Sequence, residues 1–538
     1  MRYFNCNAVI GRNWQNVGDF SHASELIRHM DSLAVDRSLV YHEYAQSGST
    51  MGGNRELLEE IGPYSDRLFP IFCLTPPDFY RTGRMEYMRS VAASGKVRAF
   101  RISNAIRPRR FEALIEALAE FGPLFMFDSI RAKGDYTDDF IYLGERYPRV
   151  SFVVTRQMWV GMNSAFDAMR AVPNFYVDTS ILHINHVLEL IRDEFGIDRL
   201  LYGFNFAATC GASQGALAQA DFTPEEKELV AHGNLEKLLG VPALEKPLAP
   251  DPDFSQKPLW KTLREGKKLE GVEIWDAHSH WGSNTRPDGW IIRGHDDQEG
   301  MLDDIVGVLD KLGITKSCLI PGLRGKPLEL TRELERRAQA FPDRLYGYVP
   351  YNPFFAELWT EEVLDDLFSR DFFIGFKTLC SYWQIRLDDP RFEPLWQYAD
   401  RYHLAVLGHN WGDNWNSPAM LKDTVKLYPN AQFLLGHSGG NLRGRMEAEE
   451  LAESAPNVHL EVCASFCCER SLCKSIERLG IERFVFGSDT YCHNVAYELA
   501  SFLSLPLPDE QLLPALADNM KKIVAAIRRP PSPEGKHR

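Results

Sequence analysis

The sequence predicts an α/β protein built from two tandem (β/α)8 barrels, and three observations support this fold class. The chain has 538 residues, of which 44% are hydrophobic and 25% are charged, a composition that excludes a largely disordered or fibrous protein. This length suits two domains of the larger α/β size. Short apolar runs alternate with amphipathic segments in each half, as parallel strands with crossover helices require. An open doubly wound sheet is the alternative, but no glycine-rich phosphate loop supports it.

The two halves repeat the same segments in the same order. The first strand reads FNCNAVIG at 4–11 in one half and WDAHSHWG at 275–282 in the other. The last strand reads GIDRLLYGFNF at 196–206 and GIERFVFGSDT at 480–490. The matching segments between these anchors keep their order, which indicates a tandem duplication.

Helices and boundaries follow from spacing and proline content. FEALIEALAEF at 111–121 and DDIVGVLDKLG at 303–313 have the apolar spacing of amphipathic helices. Five prolines between 242 and 271 predict a linker. The predicted organisation is a degenerate barrel at 1–241, the linker at 242–271, a metal-binding barrel at 272–527 and a disordered tail at 528–538.

Charge and composition exclude several classes of partner. The net charge of −14 argues against nucleic acid, since phosphate binding needs a basic face. The sequence contains no run of about 18 apolar residues, so no membrane-spanning helix is predicted. The apolar segment at the start of the chain is too short and too polar to be a signal peptide. Ten cysteines without a CxxC pair favour reduced thiols and a cytoplasmic protein. The denser group could still supply metal ligands, although it lacks paired zinc-site spacing: Cys463, Cys467, Cys468 and Cys473.

Potential metal ligands follow several predicted strands of the second half. His278 and His280 lie two apart on the first strand, so their side chains should share a side. His409 and His437 each follow an apolar strand, and Asp489 follows the last one. In a barrel the carboxyl ends of the strands meet at one face, where active sites are built. Neutral imidazoles with one carboxylate suit zinc or a similar divalent ion.

These motifs resemble a known family. HxH after the first strand, GFK, a strand-end histidine, GHSGG, and GSD before a final N-x-x-K helix are similar to the amidohydrolase superfamily. They look most like its amidohydrolase-related branch, which includes aminocarboxymuconate semialdehyde decarboxylase and the hydroxybenzoate decarboxylases beside hydrolases. The resemblance covers 272–527 and, more weakly, 3–241. It implies a distorted (β/α)8 barrel with one or two metal ions. It also implies as ligands His278, His280, His409 and Asp489.

The resemblance and the residue chemistry together predict a metal-dependent hydrolase. A divalent ion, with zinc favoured over manganese or iron, lowers the pKa of water from 15.7 toward about 7. The activated water would attack an amide, ester or lactone carbonyl, with Asp489 transferring the proton and His437 stabilising charge on the carbonyl oxygen. The first alternative is a nonoxidative decarboxylase acting on an unsaturated or aromatic carboxylate. The second is an inactive sensor or scaffold.

Substrate contacts are less clearly indicated. Arg324 can pair with a substrate carboxylate or lie on the surface, and Trp281 begins an extended loop that suits a lid or pocket. Lys377 is expected to be salt-bridged or to face the substrate, although the wider superfamily also carbamylates a lysine there. Asp276 precedes the HxH pair by two and is expected to share its face, as a ligand or as a hydrogen-bond partner of a histidine. Three tryptophans can line an aromatic pocket or pack on helices: Trp383, Trp411 and Trp415.

The first half has lost the ligand types at the matching positions. The replacements are Asn5, Asn7, Val9, Arg156 and Asn205, with Phe127 or Asp128 opposite His409. Neutral amides and valine cannot rebuild a tight divalent site, which predicts a metal-free pseudo-barrel. Arg101, Arg156 and Asn205 can bind an anion, or the half can serve as a fixed partner in an internal pseudo-dimer. The expected partner is a small-molecule substrate, which is carboxylated in the decarboxylase alternative. Beyond the internal pseudo-dimer, the chain can also form a homo-oligomer.

Overall fold

Two compact units make up the chain. The computed structural model describes residues 1–12, 20–75, 83–102, 106–129, 135–158, 161–282, 298–322, 326–468 and 470–532. One unit comprises Met1–Ser255 with Arg264–Gly266, and the other contains Gln256–Leu263 and most of the chain from Lys267 onward. Each unit has one eight-stranded parallel sheet in sequential strand order, which confirms the prediction of two tandem barrels.

The first sheet runs in the order β1 to β8. Its strands are β1 (Tyr3–Ile10), β2 (Val35–His42), β3 (Leu68–Leu74), β4 (Ala99–Ile102), β5 (Leu124–Asp128), β6 (Ser151–Thr155), β7 (Phe175–Asp178) and β8 (Leu200–Leu201). The first and last strands meet, because the Cys6 amide donates to the Tyr202 carbonyl at 3.0 Å. The sheet therefore curls toward a closed barrel.

Helices connect the strands of the first sheet. The first of them, Ala23–Ser32, buries Ala23, Leu26 and Met30 at helical spacing. The α-helices of the first unit are Ala23–Ser32, Glu43–Ser47, Thr50–Ile61, Arg84–Ala93, Glu112–Leu118, Thr137–Arg146, Met162–Ala171, Val187–Phe195, Ala207–Gln219, Pro224–Glu228 and Asn234–Leu239.

The second sheet has the same topology. Its strands are β9 (Trp275–His280), β10 (Lys316–Ile320), β11 (Leu345–Pro350), β12 (Phe373–Thr378), β13 (Ala405–Gly408), β14 (Gln432–Leu435), β15 (Val458–Glu461) and β16 (Phe484–Val485). Closure again joins the first and last strands, through the Ala277 amide and the Phe486 carbonyl at 2.9 Å. The α-helices from the linker onward are Pro258–Arg264, Gln298–Leu312, Pro327–Ala338, Glu361–Phe368, Cys380–Trp383, Glu393–Tyr402, Thr424–Leu427, Leu442–Ser454, Leu472–Leu479, Val495–Leu503, Asp509–Leu513 and Asn519–Ala525.

A β-bulge in β9 sets the direction of the HxH side chains. Relative to β10, the strand carries one extra residue between Asp276 and Ser279, so the alternation of side chains shifts across it. Ala277, before the shift, lies in the apolar core, whereas the two histidines after it lie at the mouth. The prediction that Asp276 shares the face of His278 by simple alternation is therefore wrong. The first strand of the other barrel has a register shift at the matching place.

Two asparagines at matching positions tie loops to the barrels. The Asn457 amide donates to the carbonyls of Val425, Tyr428 and Ala431 at 2.9–3.1 Å. Asn174 makes the equivalent three contacts in the first barrel at 2.7–3.2 Å. Both are buried, so each amide satisfies carbonyl groups that water cannot reach.

Every helix in the described part of the chain is too short or too polar to cross a bilayer.

We expect Asn457→Ala to lower the free energy of unfolding by about 2 kcal/mol, because the substitution leaves buried carbonyl groups without a donor. Chemical denaturation followed by circular dichroism measures the change. Asn430→Ala is the matched control, since Asn430 is exposed and its side-chain amide donates to half-buried Asp400 at 3.2 Å, and the substitution should change stability by less than about 0.5 kcal/mol. Equal effects of the two substitutions would contradict the structural role of Asn457.

Candidate metal centre

The predicted ligands and His437, which is predicted to act on the substrate, lie at the carboxyl end of the second barrel. His278 and His280 are on β9, His409 directly follows β13, His437 is the second residue after β14, and Asp489 lies in the loop after β16. Parallel strands place all of these ends on one face. The geometry therefore brings together residues that are more than 200 positions apart in sequence.

Asp489 joins the two histidines of β9. Its Oδ1 atom is 2.9 Å from His280 Nε2 and 3.6 Å from His278 Nε2. The ligand atoms that these three side chains offer all lie within 4.8 Å of one another. Zinc bonds to nitrogen and oxygen are about 2.0–2.2 Å long, so the three side chains can hold one cation.

His409 and His437 form the other side of the cluster. His437 Nε2 is 2.9 Å from His409 Nδ1. The compact three-ligand groups within the described residues include His437 but not His409. Aromatic rings flank His409, with Trp411 stacked 6.3 Å away and Tyr382 edge-on at 5.3 Å. Of the three predicted pocket tryptophans, Trp411 thus contacts the cluster, and Trp415 is 38% exposed.

Two of these residues have left-handed backbone conformations. His437 has φ +58° and Asp489 has φ +56°, which costs a non-glycine residue roughly 1 kcal/mol or more. Hydrogen bonds hold both: the His437 amide donates to Glu461 Oε2 at 3.2 Å, and the Asp489 amide donates to the His278 carbonyl at 2.7 Å. The left-handed backbone conformation directs the side chains of His437 and Asp489 toward the cluster.

Glu461 is a central residue that the sequence analysis missed. This fully buried carboxylate ends β15, and its Oε2 atom is 2.9 Å from His278 Nδ1. A carboxylate on one ring nitrogen fixes the orientation of a histidine and raises the basicity of the other nitrogen. The same rule that pointed to the histidines, a polar residue at a strand end, could have identified Glu461.

A second missed pair lies behind Asp489. His493 Nε2 is 3.8 Å from Asp489 Oδ2, and His493 Nδ1 is 3.0 Å from Glu498 Oε1. Burial raises the pKa of Glu498 to about 7. No periodic pattern in the sequence marks His493, because this residue lies in a loop.

Asp276 holds the backbone around the cluster. Its Oδ1 atom accepts from the His278 and Ser488 amides at 3.1 and 2.9 Å, and its Oδ2 atom accepts from the Ser279 and Ser488 hydroxyls at 2.8 and 2.5 Å. Burial raises its pKa to about 7. These contacts tie β9 to the loop that carries Asp489.

The predicted substrate contacts have different surroundings. Lys377 is fully buried, and its Nζ atom lies 2.9 Å from His278 Nε2; burial lowers its pKa to about 8. Trp281 is also fully buried, and its amide donates to the Ile320 carbonyl at 2.8 Å. Arg324 lies outside the described residues, as do residues 283–297 of the extended loop.

The electrostatics of the cluster favour a cation. Burial lowers the pKa of His280 to about 4 and of His409 to about 3, and holds that of His437 well below its usual range, so these imidazoles are neutral donors at pH 7. Burial alone would raise the pKa of Asp489, but neighbouring imidazoles, His278 first, hold it well below its usual range. Neutral imidazoles around an ionised carboxylate fit a divalent ion.

Strand pairing identifies the counterpart of His409 in the first barrel. Leu435 of β14, two residues before His437, pairs with the residue directly before His409. Val154 of β6, two residues before Arg156, the counterpart of His437, pairs with the residue directly before Asp128. Asp128, and not Phe127, therefore takes the place of His409.

An ion cluster occupies these positions in the first barrel. Asp128 Oδ2 is 2.6 Å from Arg101 Nη2 and 2.9 Å from Arg156 Nε. All three side chains are buried, and the Arg101 guanidinium lies 4.3 Å from the Tyr41 ring centroid. Two of the residues expected to bind an anion are thus engaged by Asp128, while the buried Asn205 Nδ2 has no hydrogen-bond partner.

Comparison with known proteins identifies relatives of both barrels. The sequence model of a family described as amidohydrolase matches residues 30–241 and 326–526. One region falls in each barrel, which confirms the predicted duplication. No curated protein matches the chain significantly.

Three similar solved structures each match less than half of the chain. A probable 2-pyrone-4,6-dicarboxylic acid hydrolase from Acinetobacter baumannii has 14% identity, and the match covers 47% of this chain and 99% of that one with a TM-score of 0.38. A dihydroxybenzoic acid decarboxylase from Polaromonas sp. JS666, with bound manganese and the inhibitor 2-nitroresorcinol, has 10% identity. That match covers 45% of this chain and 98% of the decarboxylase, with a TM-score of 0.37. The 5-carboxyvanillate decarboxylase from Sphingomonas paucimobilis has 14% identity. That match covers 47% of this chain and 99% of the decarboxylase, with a TM-score of 0.34.

We expect Asp128→Asn to lower the free energy of unfolding by about 3 kcal/mol or more, because two buried guanidinium groups would lose their shared counter-charge. Denaturant unfolding measures the loss. Asp167→Asn removes a carboxylate paired with exposed Arg170 and should cost less than about 1 kcal/mol. An Asp128 variant as stable as this control would contradict the importance of the ion cluster.

Proposed function

The chain belongs to the amidohydrolase family of enzymes, and on that premise we propose that its second barrel is a metal-dependent hydrolase. The proposed ligands are His278, His280, His409 and Asp489, and the substrate is a small amide, ester or lactone. One observation carries the proposal: neutral imidazoles and an ionised carboxylate converge at the mouth of this barrel.

The donor set favours zinc, with manganese or iron as alternatives. When bound, the ion supplies Lewis acidity and lowers the pKa of water. Glu461 keeps the Nε2 atom of His278 directed toward Asp489, because its carboxylate engages Nδ1. Proton transfer and stabilisation of charge on the substrate depend on side chains of the protein.

Asp489 is the proposed proton carrier. Its ionised carboxylate can accept a proton from the attacking water and pass it to the leaving group. His493 Nδ1 is 3.0 Å from Glu498 Oε1, and His493 Nε2 is 3.8 Å from Asp489 Oδ2. The imidazole of His493 therefore faces the second oxygen of the Asp489 carboxylate. A ring nitrogen of His437 lies within 4.8 Å of a carboxylate oxygen of Asp489, and we propose that His437 stabilises charge that develops on the carbonyl oxygen.

One observation favours the decarboxylase alternative. Lys377 Nζ lies 2.9 Å from His278 Nε2, and a buried ammonium group in the cluster suits a substrate that carries a carboxylate. Trp281 and Arg324 remain proposed substrate contacts of either reaction. A decarboxylase would also need a proton donor for the carbon that loses CO2, a role that Asp489 can fill after protonation.

Purified wild-type protein should contain about one divalent ion per chain after expression with added zinc and manganese. His278→Ala combined with His280→Ala should remove it, because two ligands are lost. Elemental analysis by mass spectrometry measures the content. The control is Asn7→Ala with Val9→Ala, the matching positions of the first barrel, which should leave the content unchanged. A folded, metal-free wild type would contradict the proposal.

His437→Asn should lower kcat roughly 100-fold while the metal content stays unchanged, because His437 acts on the substrate oxygen rather than as a ligand. The assay follows acid release from a lactone and amide panel and CO2 release from a carboxylated aromatic panel. Acid release supports the hydrolase, and CO2 release alone supports the decarboxylase. A metal-loaded protein inactive on both panels would instead support a binding or sensor role.

A further inference from the structure

Cys463 lies inside the cluster, although it is not one of the proposed ligands. It is the second residue after β15 and is fully buried. Its Sγ atom is 3.0 Å from Glu461 Oε2, 3.1 Å from His437 Nδ1 and 3.4 Å from His278 Nδ1. The thiol thus touches three polar side chains that converge on the mouth of the barrel.

The thiol is also close enough to reach the same cation. The ligand atoms of Cys463, His437 and Asp489 lie within 4.8 Å of one another, and so do those of Cys463, His278 and Glu461. Zinc–sulfur bonds are about 2.3 Å long and zinc–nitrogen bonds about 2.0–2.1 Å. His278 faces Cys463 with Nδ1 and Asp489 with Nε2, so the shared residue that matters is Asp489. Because Asp489 also belongs to the proposed site, an ion bound to its carboxylate can also contact the sulfur.

The first barrel shows that a hydrogen bond to the strand-end carboxylate does not need a thiol. Ser180 occupies the matching position, and its hydroxyl donates to Asp178, the counterpart of Glu461, at 2.9 Å. A hydroxyl group therefore satisfies the strand-end carboxylate in the barrel that has lost the HxH pair. The barrel that keeps the pair has a thiol in the same place, and thiolate is a soft ligand that prefers zinc.

We propose that Cys463 is a thiolate ligand of the cation in the second barrel and selects zinc over manganese. This inference rests on the proposed function of the same site. When the sulfur–metal bond forms, the S–H bond breaks and its proton leaves to solvent, with no change in oxidation state. The centre is then a mixed nitrogen, oxygen and sulfur site.

Cobalt(II) substitution of the full-length protein tests the proposal. Wild-type protein should show visible ligand-field bands together with a near-ultraviolet band from thiolate-to-cobalt charge transfer. Cys463→Ser should keep the ligand-field bands and lose the charge-transfer band. Cys318→Ser is the control, because Cys318 is an equally buried thiol in the apolar core of the same barrel, and it should keep both.

The outcomes separate the two proposals. Ligand-field bands without charge transfer in the wild type would overturn the role of Cys463 and leave the proposed metal centre standing. No cobalt bands at all would contradict both. Since the wild-type spectrum decides alone, the test does not depend on the folding of a variant. In competition titrations, Cys463→Ser should weaken zinc binding roughly 10-fold or more and leave manganese binding nearly unchanged; equal losses for both ions would contradict the selectivity.

Discussion

The mouth of the second barrel depends on the buried carboxylate of Glu461. One oxygen accepts from His278 Nδ1, the His437 amide and the Cys463 thiol, and the other accepts from the Cys463 amide. A buried charge costs several kcal/mol unless donors surround it, so β9, β14 and β15 must meet at this point. The first barrel keeps the same arrangement around Asp178, which accepts a backbone amide and a side-chain hydroxyl. The carboxylate is therefore part of the fold in both halves, and the metal ligands are built on it.

The two barrels solve the same charge problem in different ways. In the second, burial keeps three imidazoles neutral, which leaves room for an external cation beside Asp489. In the first, the matching strand ends carry two guanidinium groups that cannot lose their charge, and Asp128 neutralises both. Where the second barrel has a centre that suits a metal, the first has lost the HxH pair and carries Asp128 in place of His409 and Arg156 in place of His437, so that its charges are paired internally. The duplication thus preserved the geometry while the charges changed.

Much of this arrangement could be predicted, because strand ends are marked in the sequence. The HxH pair, the two later histidines and Asp489 each follow an apolar run, and parallel strands bring such residues to one face. The direction of a side chain past the strand end could not be predicted. His437 and Asp489 have positive φ without a glycine to announce it, and the bulge in β9 cancels the simple alternation that placed Asp276. The strand-end rule could have pointed to Glu461, but its pairing with His278, 183 residues away, could not be predicted, because no local pattern relates the two.

The hydrogen bonds that close the second barrel also assemble its candidate metal centre. The last strand, Phe484–Val485, has two residues, so regular pairing alone gives the loop beyond it little support. Three contacts from β9 hold that loop: the Asp489 amide donates to the His278 carbonyl, the His280 amide donates to the Thr490 carbonyl, and Asp276 accepts from Ser488. The strand that supplies two ligands therefore also positions a third. Because the first and last strands meet only when the barrel closes, Asp489 reaches the histidines only in the folded barrel, and its strained backbone is maintained by the same hydrogen bonds that complete the sheet.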